Sequence, residues 1–108
     1  NVATQEIEEF IQTCPGVKQA VVVGVPDARM GEVAYAYIQA REGETPDPQA
    51  IIARCKQSIA SYKVPRFVEL IAELPYTSTG KIKKLELKEQ ATRKLSQAEA
   101  ARPLAKTV

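Results

Sequence analysis

The stretch Val17-Lys18-Gln19-Ala20-Val21-Val22-Val23-Gly24-Val25 is nearly continuous in apolar residues and rich in valine. β-Branched side chains favour extended backbone, and a short run that is apolar at both parities suits a strand covered on both faces rather than one open to water. Such a chain needs cover for two faces of a sheet. Pro26-Asp27-Ala28-Arg29-Met30-Gly31 follows as a turn. From Val33 to Ala40 the side chains alternate, with Val33, Tyr35 and Tyr37 on one side and Ala34, Ala36 and Ile38 on the other. A second strand folding back antiparallel on the first is expected.

Helical segments on either side of this pair supply the cover. Thr4 reads as the N-cap of a helix running to about Thr13, with Glu6, Glu8 and Glu9 early, where the positive end of the helix dipole favours acids. Ile7, Phe10, Ile11 and Cys14 fall on one face, and Pro15-Gly16 stops the helix. Asp47-Pro48 gives a cap and a proline at the first helical position, opening a helix to about Ser58 or Ile59 that turns Ile51, Ile52, Cys55 and Ile59 inward. After Pro65, the segment Arg66-Phe67-Val68-Glu69-Leu70-Ile71 reads as a third strand. Lys83 to about Leu95 reads as a helix with Leu87, Ala91 and Leu95 at four-residue spacing, and the last dozen residues, with Pro103 among them, as a tail. The expected class is α+β, a small mixed three-stranded sheet with flanking helices, a lysine-bearing loop or hairpin and a C-terminal helix.

A chain of 108 residues bounds this to one domain with one modest core. A net charge of only +2 argues against a dedicated nucleic-acid binder, for which a strongly basic domain is expected. No apolar run is long enough for a transmembrane segment, and a cytoplasmic parent is expected. The chain lacks an initiator methionine and leads almost at once into a helix, so it reads as a piece of something longer. Its end, Lys106-Thr107-Val108, is not a peroxisomal Ser-Lys-Leu tail. There is no histidine, which removes the commonest general base and every Ser-His or Cys-His arrangement. With no Cys-x-x-Cys pair either, Cys14 and Cys55 read as small core hydrophobes, and no metal site is expected.

Chemistry is expected at Leu74-Pro75-Tyr76-Thr77-Ser78-Thr79-Gly80-Lys81-Ile82, where a lysine ends a proline-opened loop of hydroxyl residues and glycine. Such a loop presents one positive charge, and neighbouring backbone N–H groups, to an anion. It is not a phosphate-cradling P-loop, which needs glycine where Pro75 stands and Ser or Thr where Ile82 stands.

Gln5-Glu6-Ile7-Glu8, Cys14-Pro15-Gly16-Val17, Val22-Val23-Gly24-Val25-Pro26-Asp27, Gly31-Glu32-Val33, Tyr62-Lys63-Val64-Pro65 and Leu74 to Lys84 occur in an order and spacing that resemble the C-terminal subdomain of acyl-adenylate-forming enzymes. The resemblance covers residues 1–90 as that lid subdomain, leaving 91–108 as helix end and tail. The form Gly80-Lys81-Ile82-Lys83-Lys84 is most similar to acyl-CoA ligases. The resemblance implies a lid that swings between two orientations over an N-terminal domain of the same enzyme. That enzyme would use a carboxylic acid, ATP with magnesium, and CoA, and most of the binding would fall to the N-terminal domain. Lys81 matches the adenylation lysine, Thr79, Gly80 and Lys81 the residues that meet ATP, and Asn1-Val2 the end of a loop that meets the CoA arm. Arg29, Lys63, Arg66, Lys83 and Lys84 invite a CoA-phosphate reading, though nothing in their spacing assigns them one. The alternatives are an adenylation-domain lid feeding a carrier protein and a free-standing α+β module that binds nucleotide or RNA through a basic loop.

Overall fold

A computed structural model of the chain describes residues 4–29, 31–60 and 63–100. The elements follow the expected order, with helix α1 at Thr4–Ile11, strands β1 at Val17–Asp27 and β2 at Gly31–Ala40, helix α2 at Pro48–Ser58, strand β3 at Phe67–Leu70 and helix α3 at Lys84–Ala100. β1 pairs antiparallel with β2, Val25 lying opposite Val33. β2 pairs parallel with β3, Tyr35 beside Phe67 and Ile38 beside Leu70. The order β1-β2-β3 puts β2 in the centre. Parallel neighbours cannot be joined by a tight turn, so the chain travels from β2 to β3 through α2.

The two parities of the hairpin reach two different cores. Ala20, Val22, Ala34, Ala36 and Ile38 pack with Ile7 and Ile11 of α1, Cys14, and Ile51 and Cys55 of α2. On the opposite face Val21, Val23, Val25, Val33, Tyr35 and Tyr37 pack with Leu74 and with Leu87, Ala91 and Leu95 of α3. The division of side chains has a steric logic: alanines let two helices approach one face closely, and tyrosines reach far enough to fill the space beneath a single helix. Val17 joins the first face, although strict alternation back from Ala20 would turn it to the second. The register shifts between Val17 and Gln19, and the exposed Lys18 is the extra residue that absorbs the change of parity.

The caps and ends are close to expectation, with three differences. Asp47 accepts the Gln49 N–H at 3.0 Å with Pro48 at the helix start, as the sequence indicates. Thr4 is the first residue of α1 rather than the residue before it. Cys14 lies in the turn after α1, still buried. Helix α3 continues past Leu95 to Ala100, because nothing before Pro103 interrupts a run of good helix formers. Met30 of the turn and residues 101–108 of the expected tail lie outside the described residues. Among the described residues, no helix is long and apolar enough to cross a membrane.

Polar contacts fasten α3 to the sheet. The buried Tyr37 hydroxyl donates to the Leu87 carbonyl at 3.2 Å. Tyr35 donates to Glu69 Oε1 at 2.6 Å, and Lys94 Nζ reaches the two Glu69 oxygens at 2.9 and 2.7 Å while standing 5.5 Å from the centre of the Tyr37 ring. Burial, and then the Glu69 charge, push the Tyr37 phenol up to about 12. Burial and the hydrogen bond to Glu69 raise Tyr35 as well.

Two outcomes are expected in urea denaturation of the chain. Leu87→Ala, at a fully buried site, should lower stability by about 2 to 5 kcal/mol, whereas Leu85→Ala, two residues away and 70% exposed, should change it by less than about 0.5 kcal/mol. A phenol whose pKa is higher folded than unfolded stabilises in full below the unfolded value of about 10 and loses that contribution as pH rises through the folded value of about 12. The fall in stability over that window should therefore be shallower in Tyr37→Phe than in the parent chain. An equal slope in both would remove Tyr37 from the alkaline transition.

Candidate functional site

The segment between the buried Leu74 and the start of α3 is a closed hairpin. Tyr76 and Ile82 form an antiparallel bridge. The Thr77 N–H donates to the Lys81 carbonyl at 2.7 Å, the Gly80 N–H to the Thr77 carbonyl at 3.0 Å, and the Lys83 N–H to the Pro75 carbonyl at 2.9 Å. Residues 78–80 are thus a three-residue loop whose last member, Gly80, has φ +89°, the left-handed residue that closes this kind of hairpin. An added Cβ at Gly80 would meet no atom within 4 Å, so glycine is needed for its backbone angle rather than for room.

Thr77 organises the tip, and the sequence did not single it out. Its hydroxyl accepts the Lys81 N–H at 3.1 Å and lies 2.9 Å from the Thr79 hydroxyl. The available signal was a threonine opening a short loop closed by glycine, a position where a hydroxyl commonly binds its own turn. One expectation changes as a result. The N–H groups of Gly80 and Lys81 are spent inside the hairpin, so an incoming anion would meet the lysine side chain and the hydroxyls rather than those two amides.

Tyr76 through Lys81 are all exposed, while Ile82 is half-buried against the α3 face of the sheet. Side chains alternate across the short ladder, so Lys81 and Lys83 point away from the core on the side opposite Ile82. A cleft of about 520 Å³ lies between α2 and the segment before β3, lined by Gln49, Ile52, Lys56, Val64, Pro65 and Arg66. Others of about 410 and 370 Å³ lie beside Cys14 and beside Leu85. None of the three takes in Thr79, Gly80 or Lys81. The lysine stands on a protruding tip.

The other basic candidates are dispersed. Lys63 pairs with Glu6 at 2.8 Å, Arg66 with Asp27 at 3.0 Å and Lys84 with Glu8 at 3.1 Å, while the Arg29 N–H donates to Asp27 at 2.7 Å. Lys63 and Lys84 thus meet the acids of α1, Arg66 and the Arg29 N–H meet Asp27, and Lys83 is exposed two residues from Lys81. Asn1 and Val2, and Tyr62 of the Tyr-Lys-Val-Pro segment, lie outside the described residues. Both cysteines are buried and free, and burial pushes the Cys55 thiol up to about 11, the behaviour of an unreactive core thiol. Among the described residues no group of three or more His, Cys, Asp or Glu could hold a metal ion, so no magnesium step is assigned to them.

Comparison with known proteins identifies the family. The sequence model of the AMP-binding enzyme C-terminal domain matches residues 6–81. The chain is 43% identical over 90 residues to the putative acyl-CoA synthetase YngI of Bacillus subtilis, covering 83% of this chain and 16% of that protein. It is 44% identical over 95 residues to the mitochondrial medium-chain acyl-CoA ligase ACSF2 of Danio rerio, covering 88% and 16%. The ATP-bound crystal structure of MatB from Rhodopseudomonas palustris superposes with a TM-score of 0.80 at 33% identity, covering 85% of this chain and 18% of that one. The chain therefore spans about a sixth of the length of the relatives it matches. One of these relatives is mitochondrial by name, so they do not bear out a cytoplasmic parent. A match over most of the chain, relatives at this identity and a shared fold lead to one assignment: the chain belongs to the AMP-binding enzyme C-terminal domain family.

Proposed function

We propose that the chain is the mobile C-terminal domain of an AMP-forming acid–CoA ligase and that Lys81 is the group it contributes to acyl-adenylate formation. The observation that carries this reading is a lysine at the exposed tip of a hydrogen-bonded hairpin, outside the three clefts described above. A tip cannot enclose a substrate, but it can be inserted into a pocket on another body. The names of the relatives, an acyl-CoA synthetase and a medium-chain acyl-CoA ligase, and the ATP in the MatB structure support ATP, CoA and a carboxylic acid as the substrates. The small share of those relatives that this chain spans supports an N-terminal domain as the pocket.

In adenylation a carboxylate oxygen bonds to the α-phosphorus of ATP as the bond to pyrophosphate breaks. Nucleophile and target are both negative, and their repulsion raises the barrier. An ammonium placed between them offsets the charge of both and holds them in line, which is electrostatic stabilisation without proton transfer. A lysine suits the task as a compact charge on a long stem. The exposed Thr79 hydroxyl, two residues from Lys81, would contact the same nucleotide, and Gly80 serves by closing the turn. The resemblance of Asn1-Val2 to a CoA-contacting loop supports a second orientation, in which another face of the domain meets the thiol substrate.

In the ligase that carries this domain, Lys81→Ala should slow acyl-adenylate formation by about 100- to 1000-fold, the range for losing one donor aimed at a transition state. It should leave thioester formation from supplied acyl-adenylate unchanged. Pyrophosphate exchange and single-turnover thioester assays separate the two, and equal losses in both would contradict the proposal.

A further inference from the structure

β1 is an edge strand, and an edge leaves backbone donors without a strand partner. At Val22 that donor is taken by a side chain: the Glu8 carboxylate of α1 accepts the Val22 N–H at 2.8 Å through Oε2. The same oxygen lies 3.1 Å from the Lys84 ammonium. The Glu8 side chain is only 14% exposed and that of Lys84 53%, so the acid is fixed and the lysine comes to it from the surface. Lys84 is the first residue of α3, and its own N–H donates to the Ile82 carbonyl at 2.9 Å, inside the foot of the Lys81 hairpin. Glu8 thus sits where α1, the edge of β1 and the base of the lysine hairpin meet.

Among the described residues, the hairpin's other attachments to the domain are mainly apolar. Every residue from Tyr76 to Lys81 is exposed, leaving Leu74, the half-buried Ile82 and Leu87 as its apolar anchors. Apolar contacts are non-directional and tolerate small rotations, whereas an ion pair at 3.1 Å with a fixed carboxylate restricts where the start of α3, and with it the hairpin foot, can sit. A charge meant to lie between two reacting groups is sensitive to angle, since displacement of about 1 Å at the reacting centre has large effects on rate.

We propose that Glu8 is a positioning residue for Lys81: through Lys84 it sets the direction in which the lysine hairpin leaves the domain, without touching substrate. The inference rests on the reading of Lys81 as the adenylation lysine. It is tested in the ligase carrying this domain with Glu8→Gln, whose amide oxygen still accepts the Val22 N–H but whose charge is gone, and with Lys84→Met, at a half-exposed site that leaves the fold intact. Each should lower kcat for adenylation by about three- to tenfold, the scale of a partly exposed ion pair. The KM values for ATP and the carboxylic acid, and thioester formation from supplied acyl-adenylate, should be unchanged. The double variant should be no slower than the slower single one, and Lys84→Arg should keep the parent rate. Parent-like adenylation in Glu8→Gln and Lys84→Met, equal loss in both half-reactions, or multiplied losses in the double variant would each overturn it. Lys81→Ala separates the layers. If it abolishes adenylation while Glu8→Gln does not slow it, only the positioning role falls; if Lys81→Ala is active, the reading of the lysine falls first.

Discussion

The β1–β2 hairpin, buried on both faces, is the constraint from which the remaining architecture follows. One antiparallel pair presents Ala20, Val22, Ala34, Ala36 and Ile38 to one side and Val21, Val23, Val25, Val33, Tyr35 and Tyr37 to the other. Neither side can be left to water, since each of the larger aliphatic side chains, the valines and Ile38, contributes roughly 1.5 to 3 kcal/mol by burial. α1 and α2 close the first face and α3 the second. The parallel strand β3, reached through α2, extends the sheet on its other edge. Because α3 must lie over the tyrosine face, the chain between β3 and α3 has to cross the rim of the sheet. The lysine hairpin is that crossing, and its position at the rim is a by-product of covering the core.

The hairpin itself is internally hydrogen-bonded and exposed at its tip. Thr77 ties the two arms together by its carbonyl, N–H and hydroxyl, and Gly80 supplies the left-handed backbone that closes the loop. The outcome is a short, internally bonded post with Lys81 at its end. Such a post can be carried in and out of a pocket as one piece, with little ordering to be done on each entry. Its foot is held by apolar contacts and by the Glu8–Lys84 pair, and α3 behind it is held by Tyr37, Glu69 and Lys94.

The fold was legible in the sequence to the extent that its signals are local. Asp47-Pro48 opens α2 because a cap and a proline act within one turn, and the valine run reads as a doubly covered strand because burial is written into each parity. The shift at Lys18 was not legible, since the lysine looks like any exposed residue until Val17 is seen packed on the same face as Ala20. The extension of α3 to Ala100 was missed because alanine-rich sequence serves both a helix and a frayed end. At the candidate site, the sequence placed the lysine and its glycine on a loop, while the role proposed for the lysine rests on the resemblance. Thr77 was not, because its role consists of bonds across the loop, and the Glu8–Lys84 pair joins opposite ends of the chain that no local pattern connects.

The account turns on one ammonium reaching a phosphate held by another domain. The most direct measurement is a crystal structure of the complete ligase trapped with its carboxylic acid and a non-hydrolysable ATP analogue. Lys81 Nζ should then lie within about 3 Å of an α-phosphate or carboxylate oxygen, at charged hydrogen-bond distance. A structure of that complex with both substrates in reacting geometry and the Lys81 tip in solvent would contradict the account.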